Sequence, residues 1–151
     1  MYLSPVVDLF DTKPVGWSIA TSPTAEFANA SLAIACGTLA EGEHPILHSD
    51  GGCHYRWDGW KAICAENGVT RSMSRKGTSP DNAAMEGFFG RLKNEFFYGR
   101  DWSGYGAEEF IALLDGWLRR YSTTRLKAFR VGGRTVYDTI DHRRKLLGYA
   151  A

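Results

Sequence analysis

The chain has 151 residues, enough for one domain with its own core, and 44% of them are apolar, which excludes disorder as the starting assumption. No apolar run approaches the roughly 20 residues that span a bilayer. The first ten residues lack the basic start and apolar stretch of a secretory signal. Cys36, Cys53 and Cys64 form no CxxC pair, so they read as reduced thiols, and the expected setting is cytoplasmic with no membrane partner. The net charge of +1 hides a division. Residues 1–70 hold 3 Lys/Arg and 8 Asp/Glu, net −5, whereas residues 71–151 hold 15 and 9, net +6. A basic half suggests a polyanion partner, against the plainer alternative of a solvated face with paired charges.

In chain order, residues 2–9 read as a strand rich in β-formers, with Pro5 marking an edge or an irregular start. Asp11 to Pro14 is a turn. Val15, Trp17 and Ile19 then alternate with small residues, which predicts a half-buried strand and an antiparallel hairpin. Ser22-Pro23 predicts a helix start, with Ala28, Leu32, Ala35 and Leu39 on its buried side. Pro45 to Ser49 is a short strand. Trp57 to Glu66 is a helix closed by Asn67-Gly68, and Val69 to Met73 is a further strand. Ser79 caps and Pro80 opens a helix running to about Phe97. Its buried stripe is Met85, Phe88, Phe89, Leu92 and Phe96, with Asn82, Glu86, Gly90 and Lys93 opposite. A helix over about 107–121 buries Phe110, Leu113, Leu114, Trp117 and Leu118. A basic loop and a terminal helix over about 135–146 complete the pattern of a mixed α/β sheet.

Two carboxylates stand out. Asp50 closes the apolar run Pro45-Ile46-Leu47-His48-Ser49, and Glu86 lies on the helix opened by Ser79-Pro80; 35 residues separate them. An Asp beyond the carboxyl end of a strand sits where open α/β sheets bind ligands. An Asp and a Glu are the hard oxygen donors that a two-metal phosphoryl-transfer site uses. Taken alone, Asp50-Gly51-Gly52 also fits an ordinary Asp-Gly turn.

The stretches around both residues share a pattern: HSD-G-x-x-x-Y at 48–55, S-x-S-R-K-G at 72–77, and D-N-A-x-x-E-x-F-F-x-x-L-K at 81–93. They resemble the integrase-type catalytic core of bacterial insertion-sequence transposases, relatives of retroviral integrases. That family carries an Asp, Asp, Glu triad whose last two members lie 35 residues apart. The resemblance runs from Tyr2 to Gly148. It implies an RNase H-like fold that cuts and joins DNA by metal-dependent phosphoryl transfer. Asp50 would bind Mg2+ or Mn2+ in a two-metal site, and Glu86 would complete the coordination. It further implies DNA partners, namely transposon ends and target, and a homo-oligomer or an association with intact transposase. The family's first triad Asp lies on a central strand upstream of YLSPVVDLF. The expectation is therefore an N-terminally truncated core lacking that strand and inactive alone. Residues 1–122 would be the incomplete core, and 123–151 its basic C-terminal loop and helix. The rival reading is a non-catalytic DNA-binding or subunit-interaction remnant.

Arg71, Arg75, Lys76, Asn82, Arg91 and Lys93 flank Glu86 in sequence and are the candidate DNA contacts, chiefly to phosphates. Arg119, Arg120, Arg125, Lys127, Arg130 and Arg134 form a second basic tract, open between DNA contact and a solvated loop. A zinc site from His44, His48, Cys53 and His54 is disfavoured, because their spacing fits no standard tetrahedral pattern. His48 is expected to hold the strand end instead.

Overall fold

The computed structural model describes residues 1–50, 52–74 and 83–149, with the His54 side chain left out. Strand β1 (Tyr2–Val7) pairs antiparallel with β2 (Pro14–Ala20) as expected, with a register shift at Val6/Val7. The connecting turn holds Thr12 at φ +67°, a left-handed conformation rare for a β-branched residue. Its side chain is tied to Tyr121 and Lys127.

The two faces of the hairpin do different work. Leu3, Val7, Trp17 and Ile19 pack on a core made by Phe88, Leu92, Phe96, Leu114, Trp117, Leu118, Tyr121 and Ile140. The other face carries Ser4, Gly16 and Ser18, and helix α1 (Ala25–Cys36) lies on it. Ser4 and Ser31 share a hydrogen bond of 2.9 Å, and the Ser18 hydroxyl donates to the Phe27 carbonyl. Gly16 lets the helix approach: a Cβ there would lie 2.6 Å from the Ala35 nitrogen and 2.9 Å from its Cβ. Helix α1 begins later than Ser22-Pro23 predicts. Thr24 is the cap, its hydroxyl accepting from the Phe27 N–H at 3.2 Å. The helix also ends at Cys36, so Leu39 reaches the core from the following turn.

A second core gathers Ala28, Leu32 and Cys36 of α1 with Trp60 and Cys64 of helix α2 (Asp58–Glu66) and with Val69. It also receives Leu47 of strand β3 (Ile46–Ser49). Gly68 at φ +64° closes α2, as the Asn-Gly pair predicts. Strand β3 pairs in parallel with β4 (Thr70–Met73).

Helix α3 (Ala83–Leu92) continues into a π-turn over Lys93–Phe97, and its predicted apolar stripe is the one that is buried. Ser79 and Pro80, its predicted start, lie outside the described residues. Helix α4 (Ala107–Thr123) follows, with Glu109 accepting from the Gly106 N–H at 3.0 Å.

The C-terminal part differs from the expected loop and helix. Strand β5 (Lys127–Val131) and strand β6 (Arg134–Asp138) form an antiparallel hairpin, and helix α5 (Ile140–Leu146) starts only after it. The cause is local. Gly132 and Gly133 take φ +56° and +78°, the two positive values that a tight hairpin turn requires.

The architecture is mixed α/β, but the described strands form three two-stranded sheets and not one mixed sheet. Among the described residues β1 pairs only with β2, and β3 only with β4.

Candidate functional site

Strands β3 and β4 run parallel, so both end on the same side, and the Ser74 N–H donates to the Ser49 carbonyl at 2.9 Å just past them. His48 fastens this end. One ring nitrogen lies 3.0 Å from the Ser72 hydroxyl and the other 2.9 Å from that of Ser74. Both nitrogens are thereby occupied by serine hydroxyls, which fits the expected strand-holding role. Among the described residues no three His, Cys, Asp or Glu side chains gather in a metal-binding group.

Asp50 is the next residue after β3 and is exposed. One carboxylate oxygen accepts the Gly52 N–H at 2.9 Å, so the Asp-Gly turn and the exposed carboxylate coexist. Gly52 is squeezed: a Cβ there would lie 2.9 Å from the Asp50 carboxylate and 3.3 Å from the Tyr55 ring. Tyr55 in turn stacks edge-on against Trp60 at 4.9 Å between centroids. Burial, and after it the Asp50 charge, push the Tyr55 phenol above its ordinary pKa. Tyr55 is thus a packing neighbour of the Asp50 turn.

Glu86 lies in the first described turn of α3 and is exposed. An acidic side chain is favoured there by the helix dipole. Asp50 and Glu86 belong to different halves of the molecule, one to the β3–β4 unit and the other to the helix that builds the larger core. Among the described residues no hydrogen bond joins them, and no cation is paired with either.

Other acids are committed to structure. Asp11, only 3% exposed, accepts a two-pronged contact from Arg144 at 2.7 and 2.8 Å, and Asp8 accepts from the same guanidinium at 2.6 Å. These bonds raise the Arg144 pKa further. Both carboxylates are therefore committed to Arg144. Lys13 pairs with Asp141 at 2.8 Å.

Of the candidate DNA contacts, Arg71 is exposed on β4 and donates to the Tyr55 carbonyl at 2.8 Å. Arg91 is half-buried in the last turn of α3, and Lys93 is exposed at the start of the π-turn. Arg75, Lys76 and Asn82 lie outside the described residues. In the second tract, Arg119 pairs with Asp115 at 2.7 Å and Arg125 with Glu95 at 2.8 Å, while Lys127 donates to the Asp11 carbonyl and to Thr12.

Residues 1–79 match the integrase core domain, and the chain belongs to that family. It is similar to the probable transposase for insertion sequence element IS1353 of Shigella flexneri, 47% identical over 135 residues, which cover 89% of this chain and 26% of that protein. It is also similar to the putative transposase InsK for insertion sequence element IS150 of Escherichia coli K12, 44% identical over 126 residues, 83% of this chain and 44% of that protein. An uncharacterised transposase-like protein of Haemophilus influenzae is 39% identical over 127 residues, 84% of this chain and 57% of that protein. The chain thus spans between 26% and 57% of the length of these relatives. No helix among the described residues is long and apolar enough to cross a membrane.

Proposed function

We propose that this chain supplies two carboxylates, Asp50 and Glu86, to a divalent-metal site that handles DNA phosphodiesters in transposition. The observation that carries the reading is that Asp50 lies at the carboxyl end of a parallel pair, exposed and free of any described cation. Their oxygens fit Mg2+ or Mn2+. Such ions, when bound, activate the attacking oxygen and stabilise the leaving one. His48 holds the strand end that presents Asp50, and Lys93 offers a charge to phosphate on the side of α3 that carries Glu86.

We assign the family's third carboxylate to a strand that would lie between β1 and β3, each of which has an unpaired edge among the described residues. Joining of DNA strands is expected to require that third carboxylate together with Asp50 and Glu86. The rival, a DNA-binding or subunit-interaction remnant, predicts salt-sensitive binding and no metal-linked effect.

The test is thermal stability against Mg2+. At tenfold excess over Kd, binding to the folded state adds about 1.4 kcal/mol, or a rise of roughly 3–6 °C. Asp50→Asn and Glu86→Gln should each abolish the rise. An unchanged midpoint in the parent protein refutes the metal site, and a rise that survives both substitutions moves it elsewhere.

A further inference from the structure

We infer that the β5–β6 hairpin is a DNA-contacting ribbon that enters a groove of duplex DNA tip first. The proposal rests on the reading that this chain handles DNA, and it adds a second contact surface remote in sequence from Asp50 and Glu86.

Three observations carry it. First, residues 116–137 contain six Lys/Arg and no Asp or Glu. The structure separates those six into two kinds. Arg119, Arg125 and Lys127 are engaged by Asp115, Glu95 and the Asp11–Thr12 turn. Arg130 is exposed and bonds only the neutral Thr135 hydroxyl at 3.1 Å, while Arg134 is exposed with no ion-pair partner among the described residues. Arg120, exposed on α4, likewise has no ion-pair partner among the described residues, so two of the three uncompensated cations lie at the end of the ribbon.

Second, the register sets them on opposite faces. Arg130 pairs with Thr135, and Val131 with Arg134. Side chains alternate along a strand, so Arg130 and Arg134 project to the two sides of the tip. The walls of a DNA groove are two phosphate rows, and a ribbon with one guanidinium on each face meets both. A duplex major groove, about 12 Å wide, admits a two-stranded ribbon.

Third, the leading edge is Gly132-Gly133, at φ +56° and +78° with nothing within 4 Å of where either Cβ would be. It carries no side chain to obstruct close approach of the backbone. The base of the ribbon is anchored instead: Phe129 packs on the larger core, and Asp138 is held by His142 at 2.8 Å. One face beyond the anchor, with Ala128, Arg130, Thr135 and Tyr137, is exposed along its length, Tyr137 at 70%. Charge complementarity selects DNA as its occupant over a second copy of this chain, whose ribbon would bring like charges together.

The experiment measures binding of the whole chain to a fluorescent mixed-sequence duplex of about 30 base pairs, by anisotropy between 50 and 200 mM KCl. Each phosphate contact contributes about 0.9 to the slope of log K against log salt. Arg130→Gln with Arg134→Gln should flatten that slope by about 1.8, so that affinity lost across the fourfold salt range shrinks by roughly 12-fold. Thr135→Arg, which adds a cation to the same face, should steepen it by about 0.9. Both arginines lack structural ion pairs, so the melting temperature should not move.

Binding with a slope unchanged in both variants overturns the ribbon while leaving the Asp50–Glu86 site untouched. No binding by the parent chain overturns both. Loss of self-association in the double variant with DNA affinity intact, read by sedimentation, identifies a second copy as the occupant and overturns the DNA assignment. The Mg2+ midpoint of the double variant should equal that of the parent, which separates this surface from the metal site.

Discussion

Gly16→Ala puts the packing argument under a direct test. The added methyl would overlap the Ser31 carbonyl and lie 2.6 Å from the Ala35 nitrogen and 2.9 Å from the Ala35 Cβ. Two of these three atoms are backbone of α1, so no rotamer change relieves the overlap. The helix must retreat from the hairpin, loosening the Ser4–Ser31 and Ser18–Phe27 contacts on either side. Overpacking of this kind costs typically 1–3 kcal/mol. The upper part of that range applies here, because the obstacle is main chain. Loss of unfolded-state entropy returns about 0.4–1 kcal/mol. The net is a destabilisation of about 2 kcal/mol, or a fall in melting temperature of roughly 4–8 °C for a chain of this size. Gly116→Ala supplies the opposite sign. It lies within α4, and its Cβ would meet only the Arg120 guanidinium, at 3.6 Å. Helix propensity alone predicts a gain of about 1 kcal/mol and a rise of roughly 2–4 °C. Circular dichroism at 222 nm measures both. Equal signs, or a Gly16→Ala midpoint within a degree of the parent, would falsify the reasoning.

Other consequences are equally open to measurement. Arg144→Met leaves Asp11 buried without its partner, and breaking a buried pair costs about 3–5 kcal/mol; Arg144→Lys should rescue little, since a single ammonium cannot reproduce the two-pronged contact. Partial burial pushes the Asp115 carboxyl up, but hydrogen bonds from Arg119 and Trp17 outweigh it and hold the pKa below its ordinary value. A lowered carboxylate pKa gives stability that is complete above about pH 4 and lost as pH falls through the folded value. Asp115→Asn should therefore narrow the gap in midpoint between pH 6 and pH 3, and an unchanged gap counts against the assignment. Burial raises the Cys36 and Cys64 thiols, whereas Cys53 is exposed. Iodoacetamide followed by mass spectrometry should show one fast adduct at Cys53 and two slow ones that await unfolding. Lys93→Ala should weaken binding to all duplexes about equally, since a phosphate contact carries no sequence information; a sequence-selective loss would contradict it.

The sequence was legible where a local rule had no competitor. Alternation at Val15, Trp17 and Ile19 gave the hairpin, because one face had a large core to meet. The stripe from Met85 to Phe96 gave α3, although not the π-turn over Lys93–Phe97, which has no signature in apolar spacing. The start of α1 was misplaced because Ser22-Pro23 and Thr24 are both good caps, and the choice between them depends on where the chain leaves β2. The C-terminal hairpin was hidden by its charges. Six apolar or β-branched positions in β5 and β6 flank Gly132-Gly133, but interleaved arginines made the stretch read as a basic loop. The glycine pair was the signal that should have decided it. The apolar run before Asp50 was enough to put that residue just past a strand. That the Tyr55 ring lies against Gly52 and Trp60 is a packing detail that the motif does not spell out.

The two candidate carboxylates are separated by the architecture in a way that makes α1 functionally consequential. Asp50 follows β3, whose Leu47 is packed in the core shared by α1 and α2. Glu86 is on α3, whose Phe88 and Leu92 belong to the core on the opposite side of the hairpin. The described packing between these halves runs through α1, which lies on the small-residue face of the hairpin while its own Leu32 and Cys36 face Trp60 and Cys64. On the proposed reading, a metal held by both side chains would couple the halves, so a displacement of α1 would act on metal affinity as well as on stability. Gly16→Ala should then weaken the Mg2+ response by more than its loss of stability accounts for, whereas Arg144→Met, which loosens α5 from the hairpin turn, should lower stability and leave the Mg2+ midpoint of the folded protein unchanged. Titration of Mg2+ into each variant well below its melting temperature separates the two. Equal effects on affinity would show that the distance between the carboxylates is set by something other than the fit of α1 against β2.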